Sequence, residues 1–249
     1  MSGIQRSLTI MVYGESKVGK STFAVTAPYP RLMLDVEGGH RFLPINVKYW
    51  DPMREEPPVA DGSWDTCVVN VTEYDTVLKA YQWLQLGKHQ FKSLIIDSIS
   101  ELQVKCVDSI AGKNQMQMQQ WGELLRHMGG LLRDLRDLTM HPVAPLEAIV
   151  LTAMARMGQD GRYRPYLQGQ LAIQAPYFYD ILGAVTVETF PNPDPTQPPI
   201  KARQMYVERT SDYEAGERVQ GRLGKVVDQQ NLSVESMLDI VFGPRPSES

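Results

Sequence analysis

Gly14-Glu15-Ser16-Lys17-Val18-Gly19-Lys20-Ser21 fills every fixed position of the pattern G-x-x-x-x-G-K-S. Its flanks decide what it means. The residues before it, Leu8-Thr9-Ile10-Met11-Val12-Tyr13, are apolar and β-prone, as a buried parallel strand requires. Those after it, Thr22-Phe23-Ala24-Val25-Thr26-Ala27, can open a helix. Between strand and helix, Gly14 and Gly19 let successive amide N–H groups turn toward one anion. The helix N-terminus adds its partial positive charge. Lys20 can reach outer phosphates, and the Ser21 hydroxyl can ligate Mg²⁺. A Gly/Ser-rich turn with no ligand is the plainer alternative. With all fixed positions filled and both flanks correct, residues 14–22 are read as a nucleotide-binding loop.

Composition narrows the setting. At 249 residues the chain can hold one large α/β domain with a sizeable core, expected over residues 1–243, followed by a disordered tail over 244–249. A formal net charge of −4 gives no global basic field, so any nucleic-acid contact must come from a local patch or an assembly of patches. Cys67 and Cys106 lie in separate apolar segments without metal-ligand spacing, as buried free thiols in a reducing compartment would. No apolar run approaches the ~20 residues of a membrane span. The first six residues lack a signal peptide's apolar stretch. A soluble, cytoplasmic protein that does not engage membranes is expected.

Further short apolar runs predict strands at Leu32–Asp35, Thr66–Val71, Leu94–Asp97, Ala148–Thr152, Ile181–Val187 and Lys201–Glu208. Helices are expected from Thr72, with Asp75 completing a capping box, to Leu84; over 100–110; over 119–138; and over 233–242. Residues 44–64, rich in Pro, Gly and charge, read as a loop, and Pro191–Pro199 as a hairpin connection. Trp83 and Trp121 fall within helical apolar patterns and read as core. Strands alternating with helices imply parallel βαβ units with right-handed crossovers.

A phosphate cradle that hydrolyses its ligand needs a metal partner and a group to orient water. Leu94-Ile95-Ile96-Asp97 has the form of a Walker B strand, delivering Asp97 to the sheet's carboxyl edge, where it would share Mg²⁺ with Ser21. An ordinary helix cap at Asp97 or Ser98 is the structural alternative. Glu37 follows the second strand, which a common parallel order would set beside the first. From there its carboxylate could polarise an attacking water, where a solvated turn acid beside Gly38-Gly39 is the plainer reading.

These residues resemble the RecA-type recombination ATPases. Asp35-Val36-Glu37 looks like the D-A-E segment that carries the catalytic glutamate there, and residues 94–102, L-I-I-D-S-I-S-E-L, are similar to that family's Walker B run and following helix. The spacing and size resemble more closely the phage-encoded RecA-core proteins, some of them single-strand annealing recombinases. The resemblance covers roughly residues 7–225. It implies a RecA-like P-loop NTPase core, a mostly parallel sheet flanked by helices with a C-terminal antiparallel extension. It also implies ATP and Mg²⁺, single-stranded DNA binding, assembly into rings or filaments, and cooperation with a single-strand DNA-binding protein. The chain departs from the family after Leu151. There Thr152-Ala153 replaces a polar sensor pair ending in glutamine, leaving Thr152 as the phosphate sensor.

Single-strand binding needs cations for phosphates and flat side chains for stacking. Arg156, Arg162, Tyr163, Arg164 and Tyr166 gather in the Gly-interrupted loop that faces DNA in the family, and Lys113 falls where the family's other DNA loop lies. A solvated surface loop whose arginines contact another subunit's acids is the bland alternative. A cation supplied by a neighbouring subunit often completes such sites. Lys201, Arg203 and Arg209 are candidates, as are Arg218 and Arg222. Together these features favour an ATP-dependent, DNA-dependent recombination ATPase with Lys20 and Glu37 as its catalytic pair. A nucleotide kinase, a packaging or helicase-like motor, and an ATP-binding regulatory module are the alternatives. A kinase would need an Arg-rich lid longer than the 156–164 loop.

Overall fold

The structure, a computed structural model of the chain, describes residues 5–194 and 196–245. The apolar run ahead of the phosphate loop forms β1 (Leu8–Gly14), buried along its whole length. After the loop comes α1 (Lys20–Ala24), five residues long and shorter than the apolar run suggested. The remaining strands are β2 (Arg31–Asp35), β3 (Val47–Tyr49), β4 (Thr66–Asn70), β5 (Ser93–Asp97), β6 (Ala148–Met157), β7 (Tyr163–Pro165), β8 (Ile181–Phe190), β9 (Ile200–Tyr206), β10 (Gly216–Glu217) and β11 (Val226–Val227). The remaining helices are α2 (Tyr74–Gln85), α3 (Ile99–Ala111), α4 (Met118–Asp137), α5 (Leu171–Gln174) and α6 (Val234–Phe242).

The strands join in one sheet of order β11-β9-β8-β1-β6-β5-β2-β4-β3, with β10 on β8 and β7 on β6. From β8 to β3 every pairing is parallel, while β9, β10 and β11 add the antiparallel C-terminal extension. Alternation along the strands assigns the two faces. Met11, Tyr13, Leu32 and Leu34 pack with α2, α3, α4 and α5. Ile10, Val12, Met33 and Ile95 pack with Phe23 of α1 and Met237 and Leu238 of α6. With both faces covered, the central strands are buried at every position, which is why they read as continuous apolar runs.

Several expectations change. β2 does not lie beside β1: β6 and β5 stand between them. The 44–64 segment contributes β3 and buries Trp50 and Trp64. α2 starts at Tyr74 with Glu73 at its cap and no side-chain cap bond, so the expected box on Thr72 does not form. Trp121 is 44 % exposed at the margin of its helix's apolar stripe, not core. β6 continues to Met157 and turns back through β7, so Arg156, Tyr163 and Arg164 sit on a hairpin and not in an irregular loop. Of the expected tail, Arg245 is placed and ion-pairs with Glu147, and 246–249 lie outside the described residues.

Candidate active site

Parallel strands end together, so the turns after β1, β2, β5 and β6 meet at one edge. At β1, Gly14 has no room for a side chain: a Cβ there would meet the Val185 carbonyl oxygen at 2.5 Å. Gly19, at φ 95°, takes the left-handed conformation that caps α1, and Lys17 takes it as well at φ 64°. Lys20 turns back over the loop, its Nζ donating to the carbonyls of Gly14 at 3.0 Å and Glu15 at 2.7 Å. Burial lowers the Lys20 pKa, while the charges of Asp97 and Glu37 oppose that fall. Both acids therefore lie within electrostatic reach of the loop lysine, although β2 is not next to β1.

Asp97 is buried and accepts a hydrogen bond from the Thr152 hydroxyl. Burial pushes its carboxyl above the usual carboxylate range, against hydrogen bonds from Ser21 and Thr152 and with the charges of Glu37 and Asp35. A buried carboxylate held beside a hydroxyl and two further acids favours a cation. Among the described residues no group of three or more His, Cys, Asp or Glu could hold a metal. The Ser21–Asp97 pair instead fits Mg²⁺, which takes its remaining ligands from phosphate oxygens and water.

Glu37 is exposed, and its carboxylate accepts a hydrogen bond from Ser98, the residue after Asp97. Its turn is fixed from below. The buried Asp35 carboxylate accepts the backbone N–H groups of Glu37 (3.2 Å), Gly38 (2.8 Å), Gly39 (3.3 Å) and His40 (3.2 Å). It also pairs with His40 Nδ1, while His40 Nε2 lies 3.0 Å from the Tyr49 hydroxyl. In the sequence His40 reads as an ordinary loop histidine that could approach the nucleotide, and Asp35 only as the head of the Asp35-Val36-Glu37 segment. The one available signal was an acid three residues ahead of a Gly-Gly turn, a pattern in which short acids bind the backbone that follows.

The hairpin beyond Thr152 pairs most of its cations with acids of the same chain. Arg164 is held by Asp160 at 2.6 Å and lies 3.8 Å from Glu214. Arg162 lies 3.7 Å from Asp160 and 4.0 Å from Glu214. Arg209 reaches the same Glu214 at 3.5 Å. Three candidate cations thus share two acids within the chain. Tyr163 is stacked on Tyr213, and Tyr213 on Tyr206, with centroids 5.5 and 5.6 Å apart. Arg156 is exposed, lies over the Tyr166 ring at 5.5 Å, and has no carboxylate partner among the described residues. Lys113 is exposed in the turn between α3 and α4, and Lys201 is exposed on β9. Arg218 and Arg222 donate to the carbonyls of Tyr177 and Val241. Arg203 is placed against Gly19 of its own chain.

A mostly parallel α/β sheet with this loop and acid set at its carboxyl edge defines a P-loop ATPase of RecA-like core. The chain belongs to the AAA domain family, whose sequence model matches residues 6–219. Among curated proteins none is significantly similar to it. Similar solved structures include a prototypical ATPase from the type III secretion system of pathogenic bacteria, 14 % identical with a TM-score of 0.47, covering 72 % of this chain and 52 % of that one. Another is the genome-packaging NTPase of Sulfolobus turreted icosahedral virus 2 in complex with ATP-gammaS. It is 14 % identical with a TM-score of 0.34, covering 78 % of this chain and 79 % of that one. The chain spans about half the length of the secretion ATPase. No helix among the described residues is long and apolar enough to cross a membrane.

Proposed function

We propose that this ATPase hydrolyses Mg²⁺-ATP and directs the cycle to single-stranded DNA, as a phage-type RecA-core recombination protein promoting annealing or strand exchange. The observation that carries the reading is the meeting of Lys20, Ser21, Asp97 and Glu37 at one sheet edge, with Glu37 exposed and its turn pinned by Asp35. Backbone amides of residues 14–22 and Lys20 bind the phosphates. Ser21 and Asp97 would hold Mg²⁺, which would supply charge neutralisation at the transferring phosphoryl group. Glu37 orients the attacking water and accepts its proton, and Ser98 holds Glu37 in place. Thr152 reports the state of Asp97 along β6.

The DNA half of the reading is supported by continuity. β6 carries Thr152 at Asp97 and Arg156 four residues further along the same strand. With Arg162 and Arg164 already neutralised, Arg156 is the principal phosphate contact, with Arg162, Tyr163 and Arg164 beside it on the hairpin and Lys113 as a separate contact from the α3–α4 turn. The protein acts as a cytoplasmic homo-oligomer, ring or filament, alongside a single-strand DNA-binding protein, with Lys201 or Arg209 offered to the neighbouring subunit. The test is ATP turnover with and without single-stranded DNA at low salt, beside Lys20→Ala. Stimulation by DNA supports the reading. Turnover indifferent to DNA, with no DNA binding in any nucleotide state, rejects its second half, and phosphate transfer to a nucleoside monophosphate would make the protein a kinase.

A further inference from the structure

β8 pairs with β1 only from Ile181 to Ala184, whereas its pairing with β9 continues to Phe190. The β8–β9 arm therefore overhangs the end of β1 and runs on beside the phosphate loop. The close approach of Val185 to Gly14 marks where the two meet. Arg203 lies opposite Val187, on this overhanging part. Its neighbour two residues on, Met205, is buried in the cluster that contains Phe23 of α1, so Arg203 sits on the α1 face.

The Arg203 side chain fills the space that a side chain at Gly19 would need: Cζ, Nε and Nη2 all lie there. Gly19 is thus required twice, for its left-handed backbone and for the guanidinium laid against it. The Arg203 Nε–H is buried and has no hydrogen-bond acceptor among the described residues. Unlike Arg162, Arg164 and Arg209, Arg203 has no carboxylate within ion-pair distance among the described residues. A buried donor and an uncompensated charge, held against a loop whose backbone is shaped for anions, call for an anionic acceptor.

We propose that Arg203 is a nucleotide-binding residue acting in cis, donating to a phosphate oxygen of the nucleoside di- or triphosphate held by its own chain's loop. This rests on the nucleotide-binding role of residues 14–22. It moves Arg203 from a cation offered to a neighbour to a ligand of its own site, and it ties the β8–β9 arm to nucleotide occupancy. A guanidinium suits the place because it is planar enough to lie on Gly19 while directing several N–H groups at one phosphate.

The experiment titrates adenosine, AMP, ADP and ATP into wild type, Arg203→Ala, Arg203→Gln and Lys20→Ala, with thermal melts to confirm folding. Arg203→Gln keeps a planar group near Gly19 without the charge. Both Arg203 variants are expected to lose about ten- to hundredfold in ADP or ATP affinity while adenosine binding stays unchanged. Equal ADP and ATP affinity in folded Arg203→Ala overturns the proposal. Tighter binding overturns it too, because Arg203 would then obstruct the loop. Wild type indistinguishable from Lys20→Ala overturns the nucleotide reading itself, which separates the two failures. Finally, Arg203→Ala, with its loop intact, is mixed with Lys20→Ala, with its arginine intact. A cis ligand gives no recovery of turnover, and recovery would show that Arg203 works in trans.

Discussion

Replacing Asp35 with alanine should damage both stability and turnover, although Asp35 is not positioned to touch substrate. Its carboxylate accepts four successive backbone N–H groups and the His40 ring, and it is itself buried. Alanine leaves all of those donors without their acceptor. His40 is buried, and losing the carboxylate that accepts its backbone N–H and contacts its ring costs about 1.5–3 kcal/mol for each hydrogen bond to a charged group, about 3–5 kcal/mol together. The cost is not five separate hydrogen bonds added together, since Gly38 and Gly39 are only half-buried and can recover water. In a chain of this size each kcal/mol shifts the melting temperature by about 2–4 °C, so a fall of about 6–20 °C is expected. The assay is a thermal melt followed by steady-state ATP hydrolysis well below the new midpoint. Turnover should fall while ADP affinity holds, because the lost tether positions Glu37 and not the phosphate loop. Asp35→Asn, which keeps one oxygen acceptor, should lie between wild type and alanine in both readouts. A melt within a degree or two of wild type, or unchanged turnover, refutes the reasoning.

Three further outcomes follow from the same geometry. Burial raises the Asp97 pKa in the folded chain, so the folded state holds that proton more tightly than the unfolded one and stability falls as pH rises through the interval between the two values. Asp97→Asn should therefore melt higher than wild type above that interval and no higher below it, while Mg²⁺-dependent hydrolysis drops by about a hundredfold or more; a lower melt at neutral pH contradicts the burial argument. Gly14→Ala forces a methyl group to within 2.5 Å of the Val185 carbonyl, a backbone atom that cannot swing aside, and urea denaturation should show a loss of about 1–3 kcal/mol. Arg156→Ala should weaken single-stranded DNA binding and lower the slope of log affinity against log salt by about one. Arg162→Ala, whose cation is already shared with Asp160 and Glu214, should change that slope less; equal slopes would contradict the charge accounting.

What the sequence reveals here is what short range determines. The phosphate loop is legible because its chemistry is contiguous: eight residues carry the glycines, the lysine and the hydroxyl that one ligand needs. The central strands are legible because burial on both faces leaves no room for polar alternation. Strand order is not, since β5 and β6 enter between β1 and β2 by pairings made far along the chain, and no local pattern records them. Glu37 still reaches the site because its turn leaves the same edge as Asp97, to which Val36 is hydrogen-bonded at 2.8 Å. The Asp35–His40–Tyr49 chain of contacts was hidden because each member is unremarkable alone. Arg203 was visible as a cation, but its closeness to Gly19 depends on how far the β8–β9 arm outruns β1. The hairpin arginines were visible too, yet their neutralisation by Glu214 depends on a residue from a distant segment.

The most direct test of the account is single-turnover ATP cleavage by Glu37→Gln, measured beside its ADP affinity. The substitution keeps the shape of the side chain and an acceptor for Ser98, and removes only the carboxylate charge. Cleavage slower by about two to four orders of magnitude with ADP affinity intact is the predicted result. Cleavage at the wild-type rate would contradict it and leave Asp97 and the phosphate loop without a water-activating partner.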